Sequence, residues 1–150
     1  MDGDAEKEWR SGLRYMRCKS LNYRETVRFH GHDGPFLALG YRLGRHIVKT
    51  LKPRGIMDLK ITVNTRLSKP LTCVIDGLQC STFATLGKGN LITKAANRQD
   101  MIIHVQRGNR KLSFRMSERA WDLCRNATYL EKSAFRVLHT PVNKLWVRIG

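Results

Sequence analysis

The sequence predicts an α+β domain in which helices surround a small, mainly antiparallel sheet. Three observations carry that prediction. After Pro35, apolar residues recur at helical spacing through Leu37, Leu39, Tyr41, Leu43, Ile47, Val48 and Leu51. In DLKITVNT, Leu59, Ile61 and Val63 alternate with polar residues, as one face of a strand requires. Further on, MIIHVQ and KLSFRM flank a Gly108-Asn109 turn, the pattern of a hairpin.

In chain order, Asn22 is placed to cap a short helix over 23–29, because its side-chain oxygen can accept from a free N–H of the first turn. HGHDG interrupts that helix with two glycines. Pro35 suits the first turn of the next helix, since it lacks an N–H that would be unpaired there anyway. That helix should end before Pro53 and bury Leu39, Leu43 and Ile47. Gly40 and Gly44 lie on one of its faces. Glycine costs helix stability, so the pair implies a close contact with another backbone. Asp58–Thr65 reads as a strand and Thr72–Thr82 as a helix with Thr72 at its N-cap. TLGKGNL is a glycine-rich turn, and Leu91–Ala95, Met101–Gln106 and Lys111–Met116 read as strands. Ser117 caps a helix through Cys124, residues 127–138 continue as helix, and PVNKLWVRI closes with an extended piece. No internal repeat or linker divides the chain. Residues 1–20 read as an arm and 21–150 as one domain.

The chain of 150 residues is long enough for a core, and its apolar fraction of 41% is that of an ordinary globular protein. No apolar run approaches the roughly 20 residues that span a bilayer. MDGDAEKEWR is too polar for a signal peptide, so a cytoplasmic location is expected. Lys and Arg number 28 against 12 Asp and Glu, a formal net charge of +16. Four of the acids lie within the first eight residues, which makes the rest more basic still. Such a surface attracts polyanions, nucleic acid among them, or simply solubilises. Aromatic residues are few and not interleaved with the basic ones, so recognition by base stacking has no support. Cys18, Cys73, Cys80 and Cys124 contain no CxxC pair, which removes zinc-knuckle spacing.

Two segments hold the chemistry. His30 and His32 bracket a glycine just before the Pro35 helix. In a loop or extended segment both imidazoles can face one pocket, and imidazole binds zinc, nickel, iron and copper. The plainer alternative is a pair of solvent-facing or hydrogen-bonded histidines. The free N–H groups of the helix start would favour an anion beside them. In TCVIDGLQC, Cys73, Asp76, Gln79 and Cys80 share a helix face. A thiol at a helix N-terminus is expected to have a lowered pKa. Asp76 could ligate a metal, orient a histidine or act as a base. Gly87-Lys88-Gly89-Asn90 is a turn with one cation; it is no Walker loop, because its spacing is wrong and no Ser or Thr follows the lysine.

FHGHDGPFLALGYRLG resembles the signature of the formylmethanofuran dehydrogenase-associated FmdE family, roughly FHGHxCPGxALGYRxG. The second segment is similar to that family's downstream motif at Cys73, Asp76, Gln79, Thr85 and Gly87–Leu91, and PVNKLWVRI to its closing segment. The resemblance runs from about Thr26 to Ile149. It implies an α+β core, often homodimeric, a metal site near the His/Cys motif, and association with a larger enzyme of one-carbon metabolism. The chain departs from the pattern where Gly34 replaces a cysteine, Phe36 a glycine, and Phe83-Ala84 a Gly-Cys pair. A disulfide between the motifs and an all-thiolate site are thereby removed. His30, His32 and Cys73 remain as the candidate ligands of zinc or another transition metal, with Asp33, Asp76, Gln79, Lys88 and Asn90 around the pocket. Three readings of function stand: a metal-binding or redox-accessory protein, a basic module for nucleic acid or another polyanion that kept the fold without the metal, and a structural subunit that docks on a larger complex through its basic face.

Overall fold

The computed structural model describes residues 20–97 and 100–150, so most of the expected N-terminal arm, Cys18 included, lies outside the described residues. Among them run α1 (Tyr23–His30), α2 (Pro35–Leu51), β1 (Lys60–Thr65), α3 (Cys73–Thr82), β2 (Leu91–Ala95), β3 (Ile102–Arg107), β4 (Arg110–Met116), α4 (Glu118–Arg125), α5 (Leu130–Leu138), α6 (Val142–Leu145) and β5 (Trp146–Arg148). The expected α+β class is what this order builds.

The strands form one mixed sheet in the order β2-β1-β3-β4-β5. β1 and β2 are parallel, joined by the crossover through α3; every other pairing is antiparallel. The alternation read in β1 sets its faces: Ile61, Val63 and Thr65 are buried, whereas Lys60 is exposed. Ile103, Val105, Leu112 and Phe114 extend the buried face into one core with Leu39, Leu43, Ile47 and Leu51 of α2. Each fully buried aliphatic side chain contributes about 1.5–3 kcal/mol relative to exposure. The central helix therefore anchors the domain, and Trp146 ties the last strand to it by donating to the Leu39 carbonyl at 3.2 Å.

The glycines of α2 serve the contact their spacing predicts. A Cβ on Gly40 would lie 2.1 Å from the Val74 carbonyl oxygen, and one on Gly44 would lie 1.7 Å from Ser81 Oγ. α3 answers with Gly77, whose Cβ would come within 2.3 Å of the Leu37 carbonyl oxygen. Since Gly40 meets Val74 and Gly44 meets Ser81, the two helices run side by side in the same direction. Their first residues, Pro35 and Cys73, line one cavity. The glycine face is consumed inside the protomer, so it supplies no surface for a dimer.

Other expectations are corrected. Thr72 is helical (φ −66°, ψ −13°) and makes no side-chain cap, because the turn begins earlier, with Cys73 N–H donating to the Pro70 carbonyl. Asn22 and Ser117 do cap as read, accepting from Glu25 N–H and Ala120 N–H. The helix expected over 127–138 starts only at Leu130. The closing segment forms one helical turn before its extended piece.

Candidate metal centre

The site lies where α1 ends and α2 and α3 begin. His30 is the last residue of α1, not part of a loop. Gly31 then adopts φ +100°, a left-handed conformation that a side chain would strain. This turn folds the chain back, so the His30 and His32 rings sit 4.6 Å apart between centroids. Cys73 arrives from the start of α3, carried there by the glycine contact with α2. One ligating atom from each of His30, His32 and Cys73 lies within 4.8 Å of the others.

His30 is oriented from behind. Its Nδ1 lies 2.6 Å from Asp76 Oδ2, one turn into α3. The other Asp76 oxygen accepts from Gln79 Nε2 at 3.0 Å, and Gln79 Oε1 accepts from Leu86 N–H at 2.9 Å. A relay thus runs from the imidazole to the loop after α3. With Nδ1 held, Nε2 is the nitrogen left for a ligand, and among the described residues it is buried without a hydrogen-bond partner. An unpaired buried nitrogen costs about 1–3 kcal/mol. A bound cation would remove that cost.

Cys73 departs from its sequence expectation. Its thiol pKa is raised, first by burial and then by the nearby Asp76 carboxylate, although Lys69 acts in the opposite direction. The helix start does not overcome these effects. The other thiols are ordinary core groups in the described residues: burial pushes Cys80 up to about 11 and Cys124 up to about 12.

The remaining candidates divide. Asp33 accepts from the Tyr23 hydroxyl, whose pKa burial and this bond both raise. Asp76 and Gln79 form the relay. Lys88 turns to the end of α3, donating to the Phe83 carbonyl and, at 3.0 Å, to Thr85 Oγ1; burial lowers its pKa. Asn90 sits at the sheet, donating to the Ile56 and Leu59 carbonyls and accepting from Thr85 N–H. The GKGN turn therefore builds the junction between α3 and β2. Cys124, buried as a core thiol, also lines a cavity of about 240 Å³ together with His32 and Cys73. Its separation along the chain carries no signal of this.

Two nitrogens and one sulfur suit a transition metal of the zinc kind. Around a tetrahedral ion with bonds of about 2.0–2.3 Å, ligand atoms stand about 3.4–3.7 Å apart, so small side-chain rotations would close the set. Fold and site together define an α+β domain with a His/His/Cys cluster at the shared ends of three helices. The chain belongs to the FmdE family: the family model described as "FmdE, Molybdenum formylmethanofuran dehydrogenase operon" matches residues 29–141, a span that holds the whole cluster. No curated protein matches the chain.

Proposed function

We propose that this protein binds zinc or another transition ion through His30 Nε2, His32 and Cys73, and serves as a metal-binding or redox-accessory protein of the FmdE type. The single observation that carries this reading is the buried Nε2 of His30, unpartnered among the described residues, whose opposite nitrogen is held by Asp76. A ligating histidine is commonly held through its second nitrogen by a carboxylate in this way. When bound, such an ion supplies Lewis-acid polarisation of a ligand. Asp76 keeps the proton on Nδ1, and Gln79 keeps Asp76 in place. The family description supports an association with formylmethanofuran dehydrogenase chemistry. Homodimerisation and docking on a larger enzyme belong to the same proposal. Among the described residues no helix is long and apolar enough to cross a membrane.

The test is metal analysis of untagged protein with chelator-competition titration. One zinc per chain is expected. His32→Ala and Cys73→Ser should each weaken binding at least about tenfold, as loss of one ligand of three demands. His104→Ala should not, because His104 lies on β3 and bonds to Ser113 at 2.7 Å. Equal affinities in all three variants defeat the reading.

A second reading, polyanion binding, has its own observation. Lys60, Lys94, Lys111 and His104 line a concavity of about 450 Å³ on the sheet. Charge reversal of these lysines should abolish salt-dependent retention on single-stranded nucleic acid; unchanged retention rejects this alternative.

A further inference from the structure

Gly34 is a glycine without a structural reason. Its backbone is extended, at φ −178° and ψ 161°, which any residue adopts. Gly40, Gly44 and Gly77 are pressed against their neighbours, but among the described residues a Cβ on Gly34 would meet only the His32 ring, with Nε2 nearest at 3.7 Å. Position 34 therefore faces the candidate centre with no side chain to offer it. The space left over opens into the cavity of about 240 Å³ that His32 and Cys73 share with Phe36, Leu37, Pro70 and Leu130. This volume equals about eight waters, yet its walls away from the cluster are largely carbon. A second cavity of about 450 Å³ adjoins it through Phe36, Pro70 and Cys124, and carries Arg66, Lys69 and Arg125.

We propose that Gly34 leaves the centre one ligand short on its cavity side, and that the vacant position takes a small thiolate with an apolar body. This rests on the metal reading above. The three protein groups give two imidazoles and one thiolate; three ligands and an open fourth position are the arrangement of zinc sites that bind or transform a ligand, whereas closed four-ligand sites are structural. A soft anion suits such an ion, and the carbon walls favour a hydrocarbon chain over water. The adjoining cationic cavity adds attraction for anions. A side chain of ligating type at 34 would shut this position, since among the described residues nothing else stands between that residue and His32.

The experiment uses the full chain loaded with cobalt(II), whose visible and near-ultraviolet spectrum reports coordination and the number of bound thiolates. Wild type, Gly34→Cys and Gly34→Ala are compared, with 2-mercaptoethanol and 6-mercaptohexanol as probes. In wild type, 6-mercaptohexanol should add thiolate charge-transfer intensity and bind at least about tenfold tighter than 2-mercaptoethanol, through its four extra methylenes. Gly34→Cys should show the second thiolate without any probe, bind cobalt at least about tenfold tighter, and no longer respond to the thiols. Gly34→Ala separates ligation from bulk: it should show no second thiolate, and a cobalt spectrum from it matching that of Gly34→Cys overturns the proposal. The proposal is overturned if wild type binds cobalt and neither thiol changes the spectrum, if the two thiols bind alike, or if Gly34→Cys adds no second thiolate. Wild type that binds no cobalt overturns the metal reading and this inference together. Cobalt that binds without a thiol response overturns the inference alone.

Discussion

The Asp76 carboxylate lies 2.6 Å from Nδ1 of His30, joining the start of α3 to the last residue of α1. The pair occupies Nδ1 and so leaves the buried Nε2 as the nitrogen available to a ligand. Asp76→Asn keeps the shape and removes the charge. Loss of such a supporting partner typically lowers metal affinity about 10–100-fold. Zinc affinity of Asp76→Asn, measured by chelator competition, should fall within that range while the far-ultraviolet circular dichroism stays unchanged. Unaltered affinity would remove the carboxylate from the proposed centre.

The contact between α2 and α3 should be the least tolerant place in the fold. Gly77→Ala would bring a Cβ to 2.3 Å from the Leu37 carbonyl oxygen, and Gly40→Ala to 2.1 Å from that of Val74. Backbone cannot swing aside as a side-chain tip can, so each substitution should cost at least about 2 kcal/mol in urea unfolding. Gly55→Ala is the control: a Cβ there meets nothing within 4 Å among the described residues, and the change should lie within about 1 kcal/mol of zero.

Asn90 should prove structural. Its buried amide closes three hydrogen bonds, at 2.9 and 3.1 Å to the Ile56 and Leu59 carbonyls and 3.0 Å from Thr85 N–H. Asn90→Ala strands those partners and should destabilise by about 2–4 kcal/mol. Metal affinity, measured well below the unfolding midpoint, should not change. A selective loss of affinity would instead assign Asn90 to the centre.

Cys124 makes stability fall in alkali. Its thiol titrates near 9 when exposed and is pushed up to about 12 by burial in the fold. Between these values the unfolded chain has released the proton and the folded chain has not, so stability declines as pH rises. The contribution is intact below about pH 9, and its full loss approaches at most about 4 kcal/mol near pH 12. Cys124→Ala should shift stability by a constant amount below pH 9 and show a shallower decline from 9 to 12 in denaturant titrations. Parallel curves for the two proteins across that window would contradict the burial effect.

Much of this protein is local and therefore legible in the chain. Alternation in KITVNT, the Asn22 and Ser117 caps, the Pro35 start and the Gly108 turn act over a few residues, and the corresponding elements stand where those signals put them. The glycine spacing of α2 likewise announced a close contact, although not its partner. What the sequence by itself determined was the set of elements, the buried faces, and the residue types able to bind a metal. Only the tertiary structure decided which of them meet. It turned His30 into a helix end, sent Lys88 and Asn90 to the α3–β2 junction, brought Cys124 to the lining of the cavity, and raised the Cys73 pKa where the helix start alone would lower it. The reason is physical: propensity and periodicity act along the chain, whereas burial and charge depend on groups far apart in it, such as His30 and Asp76, that only packing brings within reach.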